Sequence, residues 1–224
     1  MKRIVRVAIA VAALLAWGAA QVSAQGFGIG VRGGLNYSNL SEGALDTGQE
    51  QGWQTGFHAG LALTSDVHDY FGVEVDALYS TKGVKVTEDL GGGSMLTGSL
   101  VPAYIQIPVI ARFRMPLGGV TPRLLAGGAV AFEISCKAKA DVDGTTVIDN
   151  LDCDDPSIGA DERKGTEWSL LGGVGVEIGA GPAMVFLDAM YNLGITNLDA
   201  TGIDDVKSKS WMFSVGVVYK VGLN

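Results

Sequence analysis

The chain has 224 residues, 33 of them glycine, and a formal net charge of −8 at pH 7. This length predicts a single domain, and an acidic chain is a poor partner for nucleic acid. Hydrophobic residues account for 47% and charged residues for 18% of the sequence. The abundant glycine, which weakens helices, favours a β protein.

The first segment has the pattern of a secretory signal peptide. Basic residues at positions 2, 3 and 6 precede an apolar run from 7 to 20, and Val22-Ser23-Ala24 forms a small-residue cleavage site. We expect a signal peptide over residues 1–24, with cleavage between Ala24 and Gln25. Its removal would change the net charge from −8 to −11, because it carries three basic residues and no acidic one. No later stretch approaches the roughly 18 continuous apolar residues that a transmembrane helix needs.

The stretch that follows, Gly26–Leu40, alternates between two kinds of residue. Odd positions carry large apolar side chains such as Phe27, Ile29 and Val31, whereas even positions carry glycine, Arg32 or small polar residues. A period of two is typical of a β-strand with one apolar and one polar face. Since the polar face mixes glycine with full charges, the pattern favours a strand whose apolar face meets lipid.

Seven further runs have the same period. They occupy residues 53–64, 71–80, 104–114, 123–134, 167–178, 185–196 and 211–223. The breaks between runs alternate in length, and the long ones lie at 41–51, 88–98, 137–165 and 197–209. Bacterial outer-membrane barrels have an even number of strands, short periplasmic turns and longer outer loops. The sequence therefore predicts an all-β fold, an eight-stranded antiparallel up-and-down transmembrane β-barrel over residues 25–224, with its N-terminus in the periplasm.

Periodicity alone leaves open which face points inward. A soluble eight-stranded barrel such as a lipocalin has its apolar face inside, so the charges decide. They share one face with many glycines, and the opposite face has almost none. We therefore predict a lipid-facing exterior and an interior filled by a charge network, with a narrow ion path as the alternative. The predicted members are Arg32, Glu74, Asp76, Arg112, Arg114, Arg123, Glu133, Glu177 and Asp188, with Glu167 and Lys220 on the same face.

Aromatic residues fall near both ends of the predicted strands. Such girdles mark the two membrane interfaces of outer-membrane barrels. On the last strand, we expect arginine at outward-facing Val217 to block membrane assembly and serine at inward-facing Gly216 to be tolerated. The predicted periplasmic girdle contains Phe27, Phe71, Phe113 and Tyr219, and the predicted outer girdle contains Tyr37, Trp53, Tyr79, Phe132, Trp168 and Trp211.

Three stretches carry a resemblance to a known family. They are GIGVRGGLNYSNL in the first strand, the run Tyr104-Ile105-Gln106-Ile107-Pro108-Val109, and the aromatic-rich last strand. They are similar to the PorT-type outer-membrane β-barrel family over essentially the whole mature chain. The resemblance implies an eight-stranded barrel of the small OmpA/OmpX type, usually without an assigned activity. By analogy it suggests an accessory role in protein secretion.

The chain offers little for catalysis. A hydrolase needs a nucleophile beside a general base that a third group orients, and the sequence has only two histidines, His58 and His68. His58 is predicted on the inner face, away from lipid, and His68 in a periplasmic turn. We expect no catalytic residue, no metal and no cofactor, and therefore no enzyme.

The longest break, 137–165, is acidic and lies beside both cysteines. In an exported chain, Cys136 and Cys153 can form a disulfide that staples this loop. Asp141-Val142-Asp143-Gly144 is similar to a fragment of a calcium loop, but the remaining ligand spacing is missing; a solvated acidic loop is the simpler interpretation. The glycines at 91–93 are interpreted as a flexible loop tip, not a phosphate loop. The acidic residues are Asp141, Asp143, Asp149, Asp152, Asp154, Asp155, Asp161 and Glu162.

These features predict a cell outer-membrane protein with a structural or interaction-based role, as a scaffold that displays its outer loops. The predicted partners are outer-membrane lipid, the barrel-assembly machinery and an extracellular or envelope protein. We expect no nucleic acid partner and a monomeric chain. A small passive channel is the competing function.

Overall fold

A computed structural model of the chain describes residues 26–41, 49–153, 155, 165–198 and 206–221. The predicted signal peptide lies outside these residues. No helix in the described ranges is long and apolar enough to cross a membrane. The strands of this part are β1 Gly26–Leu40, β2 Gln49–His68, β3 Phe71–Thr81, β4 Val84–Gly91, β5 Ser94–Arg114, β6 Thr121–Val142, β7 Thr145–Asp152, β8 Thr166–Ala180, β9 Ala183–Gly194 and β10 Ser208–Val221.

The strands form one antiparallel sheet that closes on itself. β1 pairs with β2 on one side and with β10, the last strand, on the other. From β2 the pairing continues through β3, β5, β6, β8 and β9 to β10. The stagger of the ladder is seen by starting at Gly28 and stepping from each residue to its paired residue on the next strand. After one full turn around the sheet, these steps reach β1 again at Ser38, ten residues after Gly28. Closure of a sheet with tilted strands requires such a stagger. The prediction of an all-β antiparallel fold is confirmed.

The described residues form ten strands where the sequence has eight predicted runs, and the first difference is a break after the third run. β3 and β4 lie in one line, because β5 pairs with both in a single register, and residues 82–83 interrupt that line. β4 then turns back into β5 at Gly92-Gly93, whose φ angles are 68° and 89°. Glycine adopts such angles without steric cost. The prediction of a loop over 88–98 is therefore wrong, because the glycines form a tight turn that lets the flanking residues pair.

The second difference lies in the loop predicted over 137–165. β6 continues to Val142, and β7 folds back against it through a two-residue turn, Asp143-Gly144, with φ angles of 51° and 78°. Aspartate followed by glycine suits this turn, because both positions need positive φ. The fragment Asp141-Val142-Asp143-Gly144, which is similar to part of a calcium loop and was interpreted as a solvated acidic loop, is thus the end of β6 and the hairpin turn. Cys136 and Cys153 close the base of the hairpin as a disulfide, with Cα atoms 5.4 Å apart.

The two hairpins extend the sheet beyond its closed part. We call this region the sheet extension; it comprises β4, β7 and the segments 49–53, 94–100 and 137–142 that pair with them. Val84 and Ala138 continue the inward positions of their strands, and both are apolar and buried, whereas the neighbouring Lys85 is exposed. At these positions the extension has the polarity that a sheet has in water.

The closed part of the sheet has the opposite polarity. Val31 on its outer face is 57% exposed, whereas the adjacent Arg32 on its inner face is 2% exposed. Large apolar residues on every strand of the closed part share this exposure, among them Leu61, Val109, Val174, Leu187 and Val215. A soluble barrel would have its apolar face inside, so this wall matches one that faces lipid.

Candidate functional site

The interior of the closed sheet is built in three layers. We call the end of the closed sheet with the short turns the turn end, and the end with the sheet extension the hairpin end. The three layers follow one another from the turn end to the hairpin end. The inward side chains along a strand are first charged, then apolar, then neutral and polar. This order is seen in Asp188, Met190 and Asn192 on β9 and in Asp76, Leu78 and Ser80 on β3.

The charged layer, which we call the charge cluster, holds equal numbers of basic and acidic groups. Such balance is expected, because an unpaired buried ion is costly. Eight of the nine residues predicted for the network meet here, the exception being Glu133. The members are Arg32, Arg112, Arg114, Arg123 and Lys220 with Asp66, Glu74, Asp76, Glu177 and Asp188.

Asp188 joins two arginines at the centre of the charge cluster. Arg123 makes a two-point contact with it, since Nη2 lies 2.6 Å from Oδ2 and Nε donates to Oδ1 at 2.9 Å. Arg32 Nη2 donates to Asp188 Oδ2 at 2.8 Å. Charge-assisted contacts of this kind are strong and directional. Because all three side chains are buried, each charge depends on the others for its stabilisation.

Arg32 and Arg112 share a second carboxylate, that of Glu74. Arg32 Nη2 donates to Glu74 Oε1, and Arg112 Nε lies 3.6 Å from Glu74 Oε2. Arg32 Nη1 also lies 3.3 Å from Asp76 Oδ2. The four residues come from β1, β3 and β5, so the ion pairs connect strands that are distant in sequence.

Asp66 is a member of the charge cluster that sequence reasoning missed. It binds Arg112 at 2.9 Å, Arg114 at 3.0 Å and Lys220 at 3.3 Å, beside a polar cavity of about 540 Å³ at the turn end. The sequence reading placed Asp66 in a turn, whereas β2 continues to His68. Thr64 and Asp66 are both polar and two residues apart, as inward positions of one strand are. Extending the second run by two residues, from Thr64 to Asp66, would have predicted Asp66 as an inward residue.

Phe186 gives the charge cluster an apolar centre. Its ring lies 4.8 Å from the guanidinium carbon of Arg32 and 4.5 Å from that of Arg123, which is within range of a cation–π attraction. Gly216 pairs with Phe186 in the sheet, and a Cβ at position 216 would overlap the ring. The expectation that Gly216 tolerates serine is therefore wrong. Sequence reasoning missed this contact because an aromatic residue on the charged face carries no periodic signal.

Two acidic residues from the predicted inner face lie nearer the hairpin end. Glu133 is half-buried and stands opposite Tyr104 in the sheet. Glu167 Oε1 lies 3.0 Å from Nζ of the buried Lys82 and accepts a hydrogen bond from Ser208. Lys82 was not predicted as an inward residue, because it follows the end of the third run.

The middle of the interior is an apolar layer, which the prediction of a charged interior did not include. Each contributing strand has only one or two of these apolar residues, on an inward face that also carries polar residues or glycine. Such isolated residues do not form a pattern in the sequence. Together they form one buried cluster of Leu78, Ile110, Leu125, Ala129, Leu171, Met190 and Met212.

His58 lies in the third layer, the polar layer, which comprises Asn36, His58, Ser80, Gln106, Ser169, Asn192 and Ser210. His58 Nδ1 is 2.8 Å from Asn36 Oδ1, and its Nε2 is 2.9 Å from Ser214 Oγ. Asn36 Nδ2 also donates to Ser80 Oγ at 2.9 Å. A serine, a histidine and an asparagine in this order have the connectivity of a hydrolase relay. All of these side chains are buried, so we interpret the relay as a structural tie between four strands. His68, the other histidine, is exposed at the turn end.

Two acidic residues of the β6–β7 hairpin, Asp149 and Asp152, are paired with lysines. Asp152 Oδ1 is 2.7 Å from Lys137 Nζ, and Asp149 Oδ1 is 3.1 Å from Lys139 Nζ. Within the described ranges, no group of three or more histidine, cysteine, aspartate or glutamate side chains is arranged to hold a metal ion. Three of the predicted loop acids lie outside the described residues: Asp154, Asp161 and Glu162.

The aromatic residues predicted as girdles lie on the outer face in two rows. At the turn end, the rings of Phe71 and Phe113 are 5.2 Å apart. At the hairpin end, the ring of Tyr37 stacks on that of Trp53 at 4.9 Å. By register, Phe27 and Tyr219 belong to the first row, and Tyr79, Phe132, Trp168 and Trp211 belong to the second.

Solved structures of three bacterial proteins are among those similar to this chain. Ail, the attachment invasion locus protein of Yersinia pestis, is 20% identical with a TM-score of 0.39, over 88% of this chain and 99% of its own. Neisserial surface protein A is 16% identical with a TM-score of 0.42, over 85% and 96%. OprG from Pseudomonas aeruginosa is 17% identical with a TM-score of 0.41, over 89% and 98%.

The sequence of the chain also matches a protein family. No curated protein matches the chain at a significant level. Residues 19–200 match the family described as "Outer membrane protein beta-barrel domain", which covers most of the chain and most of the closed sheet. The chain belongs to the outer membrane protein beta-barrel domain family and is an integral outer-membrane barrel protein.

Proposed function

We propose that the chain is an eight-stranded transmembrane barrel with a filled, charged lumen, which acts as a scaffold for the sheet extension at the cell surface. The closed ladder supports this strand number, because it passes through eight strands and leaves β4 and β7 to the extension. Even strand numbers are usual in bacterial single-chain barrels. The exposed apolar wall supports a location within lipid.

The proposed orientation has the turn end in the periplasm and the hairpin end outside the cell. Short periplasmic turns and longer outer segments are usual in this class, and the connections at 69–70 and 181–182 are short. The two aromatic rows would then lie at the two membrane interfaces. Phe27 and Tyr37 are separated by ten residues of β1, about 33 Å along the strand, which a tilt near 45° reduces to about the height of the apolar band.

The sheet extension is the observation that carries the scaffold role. Its outer face carries lysines such as Lys85, Lys137 and Lys139, apolar residues pack together on its inner face, and the Cys136–Cys153 disulfide fixes its β6–β7 hairpin. A rigid element that stands clear of the membrane is suited to recognition. The proposed partner is an extracellular or envelope protein. Outer-membrane lipid covers the apolar wall and the barrel-assembly machinery inserts a monomeric chain, to which we assign no catalytic activity, cofactor or nucleic acid.

A narrow passive channel is the second candidate. The polar cavity at the turn end favours it, because Asp66, Arg114 and Lys220 line that cavity beside the charge cluster. The balanced and buried ion pairs above it favour a filled lumen instead. An accessory role in protein secretion is a third candidate, supported only by the resemblance to the PorT-type family.

Labelling of intact cells tests the display of the extension. Val147 in β7 and Tyr70 in the turn after β2 are both exposed, and they lie at opposite ends of the sheet. We expect Val147→Cys to react with a membrane-impermeant maleimide on intact cells and Tyr70→Cys to react only after the outer membrane is permeabilised. The reverse result would place the extension in the periplasm and contradict the scaffold role.

Planar-bilayer recording distinguishes the filled lumen from the channel. The sample is the refolded mature chain, residues 25–224, with folding checked by heat-modifiable migration in gels. We expect no steady conductance steps from folded protein. Reproducible steps would instead support the channel.

A further inference from the structure

Several buried polar atoms of the polar layer have no hydrogen-bond partner in the part of the chain that the structure describes. They are Gln106 Oε1 and Nε2, Asn192 Oδ1 and Ser210 Oγ, in residues that are 0% exposed. Glu167 Oε2, nearer the hairpin end, also has no partner there. Buried polar groups without partners are costly, and native proteins satisfy nearly all of them with protein groups or ordered water.

The sheet gives Gln106 no lateral partner. Its neighbours across the ladder are Leu78 on β3 and Ala131 on β6, and neither side chain has a donor or an acceptor. Both the donor and the acceptor of the Gln106 amide therefore have to be satisfied from the interior.

Asn192 and Ser210 lie on the other side of the interior. They pair with each other in the sheet between β9 and β10, and β6 and β8 separate them from Gln106 on β5 along one side of the ladder. Asn192 Nδ2 lies 3.9 Å from Met212 Sδ, so the amide rests on the apolar layer. The unpartnered groups of Gln106, Asn192 and Ser210 therefore face one another across the interior, next to the apolar layer.

We propose that the polar layer is a chamber that binds a small cluster of ordered water molecules, between the apolar layer and the Lys82–Glu167 ion pair. Water fits because it both donates and accepts, and a buried water typically makes about three hydrogen bonds to such groups. The apolar layer offers water no such partners. The inference rests on the proposed filled barrel and adds a specific ligand to its interior.

A crystal structure of the refolded mature chain that resolves ordered water tests the chamber directly. We expect water within about 2.7–3.2 Å of Gln106 Nε2 and of Asn192 Oδ1. Side chains that bond directly to each other without intervening water would overturn the inference. Steady conductance of the same sample would contradict the filled lumen. The crystal structure reports the water positions independently, so a failure of the filled lumen and a failure of the water chamber can be told apart.

A pair of variants tests the same point in solution. Gln106→Met keeps a similar length but removes both unpartnered atoms. If water occupies the chamber, the molecules that bind Asn192 and Ser210 lose a partner, and we expect the urea midpoint of unfolding in micelles to fall. Ile110→Met, two inward positions away on the same strand, is the matched control and should change the midpoint little. An unchanged or higher midpoint for Gln106→Met, relative to this control, would mean that the amide is dry and would overturn the inference.

Discussion

The ring of Phe186 lies directly across the sheet from Gly216 and occupies the space that a side chain at position 216 would need. The same ring lies within 5 Å of the guanidinium carbons of Arg32 and Arg123. One glycine on β10 therefore allows an aromatic ring to sit between two buried arginines. Aromatic side chains that cover glycine across a strand pair are a known way to stabilise sheets.

This contact predicts that Gly216 cannot be replaced, even by alanine. We expect Gly216→Ala to destabilise the fold by about 1–3 kcal/mol, as overpacking of a filled core does, and Gly216→Ser to do at least as much. Gly172→Ala is the control, because Gly172 is an exposed strand residue and a Cβ there would have no heavy atom within 4 Å. The measurement is urea unfolding in micelles, followed by tryptophan fluorescence. Equal midpoints for the two alanine variants would contradict the position of the ring.

The central carboxylate of the charge cluster gives a second prediction. Asp188→Asn removes the negative charge that Arg32 and Arg123 share, and breaking a buried pair in this way costs about 3–5 kcal/mol. Asp149→Asn removes a carboxylate from the exposed pair with Lys139, and such pairs contribute about 0–1 kcal/mol. The difference in urea midpoint between the variants measures the contribution of burial. A small effect at both sites would indicate that Asp188 is solvated.

The lipid-facing wall predicts that the effect of an added charge on membrane assembly depends on its depth in the bilayer. On β10, Val215 lies midway between Trp211 and Tyr219, one from each aromatic row, whereas Val217 is next to Tyr219. An arginine at the bilayer midplane costs about 2–4 kcal/mol, falling to about 0–1 near the interfaces. We therefore expect Val215→Arg to impair membrane assembly more than Val217→Arg does.

Val147→Arg is the control for this series, because Val147 is exposed on the sheet extension and should tolerate a charge. The fraction of each variant in the heat-modifiable, membrane-inserted form is the readout. If Val147→Arg impaired assembly as much as Val215→Arg, the extension would lie within the membrane.

The disulfide predicts an effect confined to the sheet extension. The Cys136–Cys153 bond spans 17 residues, and a cross-link closing a loop of this size contributes about 3 kcal/mol. We expect the double variant C136S/C153S to speed hydrogen exchange in β7 and the upper part of β6, because the hairpin opens locally. β1, β9 and β10 should keep their protection, since they are paired only within the closed sheet. Uniform loss of protection would mean that the bond supports the barrel itself.

Much of the closed sheet is predictable from the order of residues. The alternation in Gly26–Leu40 assigns Val31 to one face and Arg32 to the other, because consecutive side chains of a strand point to opposite sides. The same rule places most of the members of the charge cluster on the inner face. It also identifies the exposed apolar wall, which requires only local geometry and the separation of charge from apolar residues.

The two hairpins of the sheet extension could not be predicted in this way. Residues 88–98 and 137–142 are too polar and too irregular to signal strands, yet they pair because Gly92-Gly93 and Asp143-Gly144 permit tight turns beside strands that already exist. Pairing with a neighbour stabilises segments whose own sequence has little preference.

The sequence by itself determined the class of the fold, the lipid-facing side of each strand and the sign of the charge at each inward position, because these depend only on a period of two. The tertiary structure decided which charges meet. Asp66 reaches Arg112 and Lys220, and Phe186 covers Gly216, only because strands far apart in sequence align in one register around a closed sheet. It also decided that single apolar residues such as Met190 and Leu78 join into one layer across the interior. Both outcomes follow from non-local pairing, which composition and periodicity do not encode.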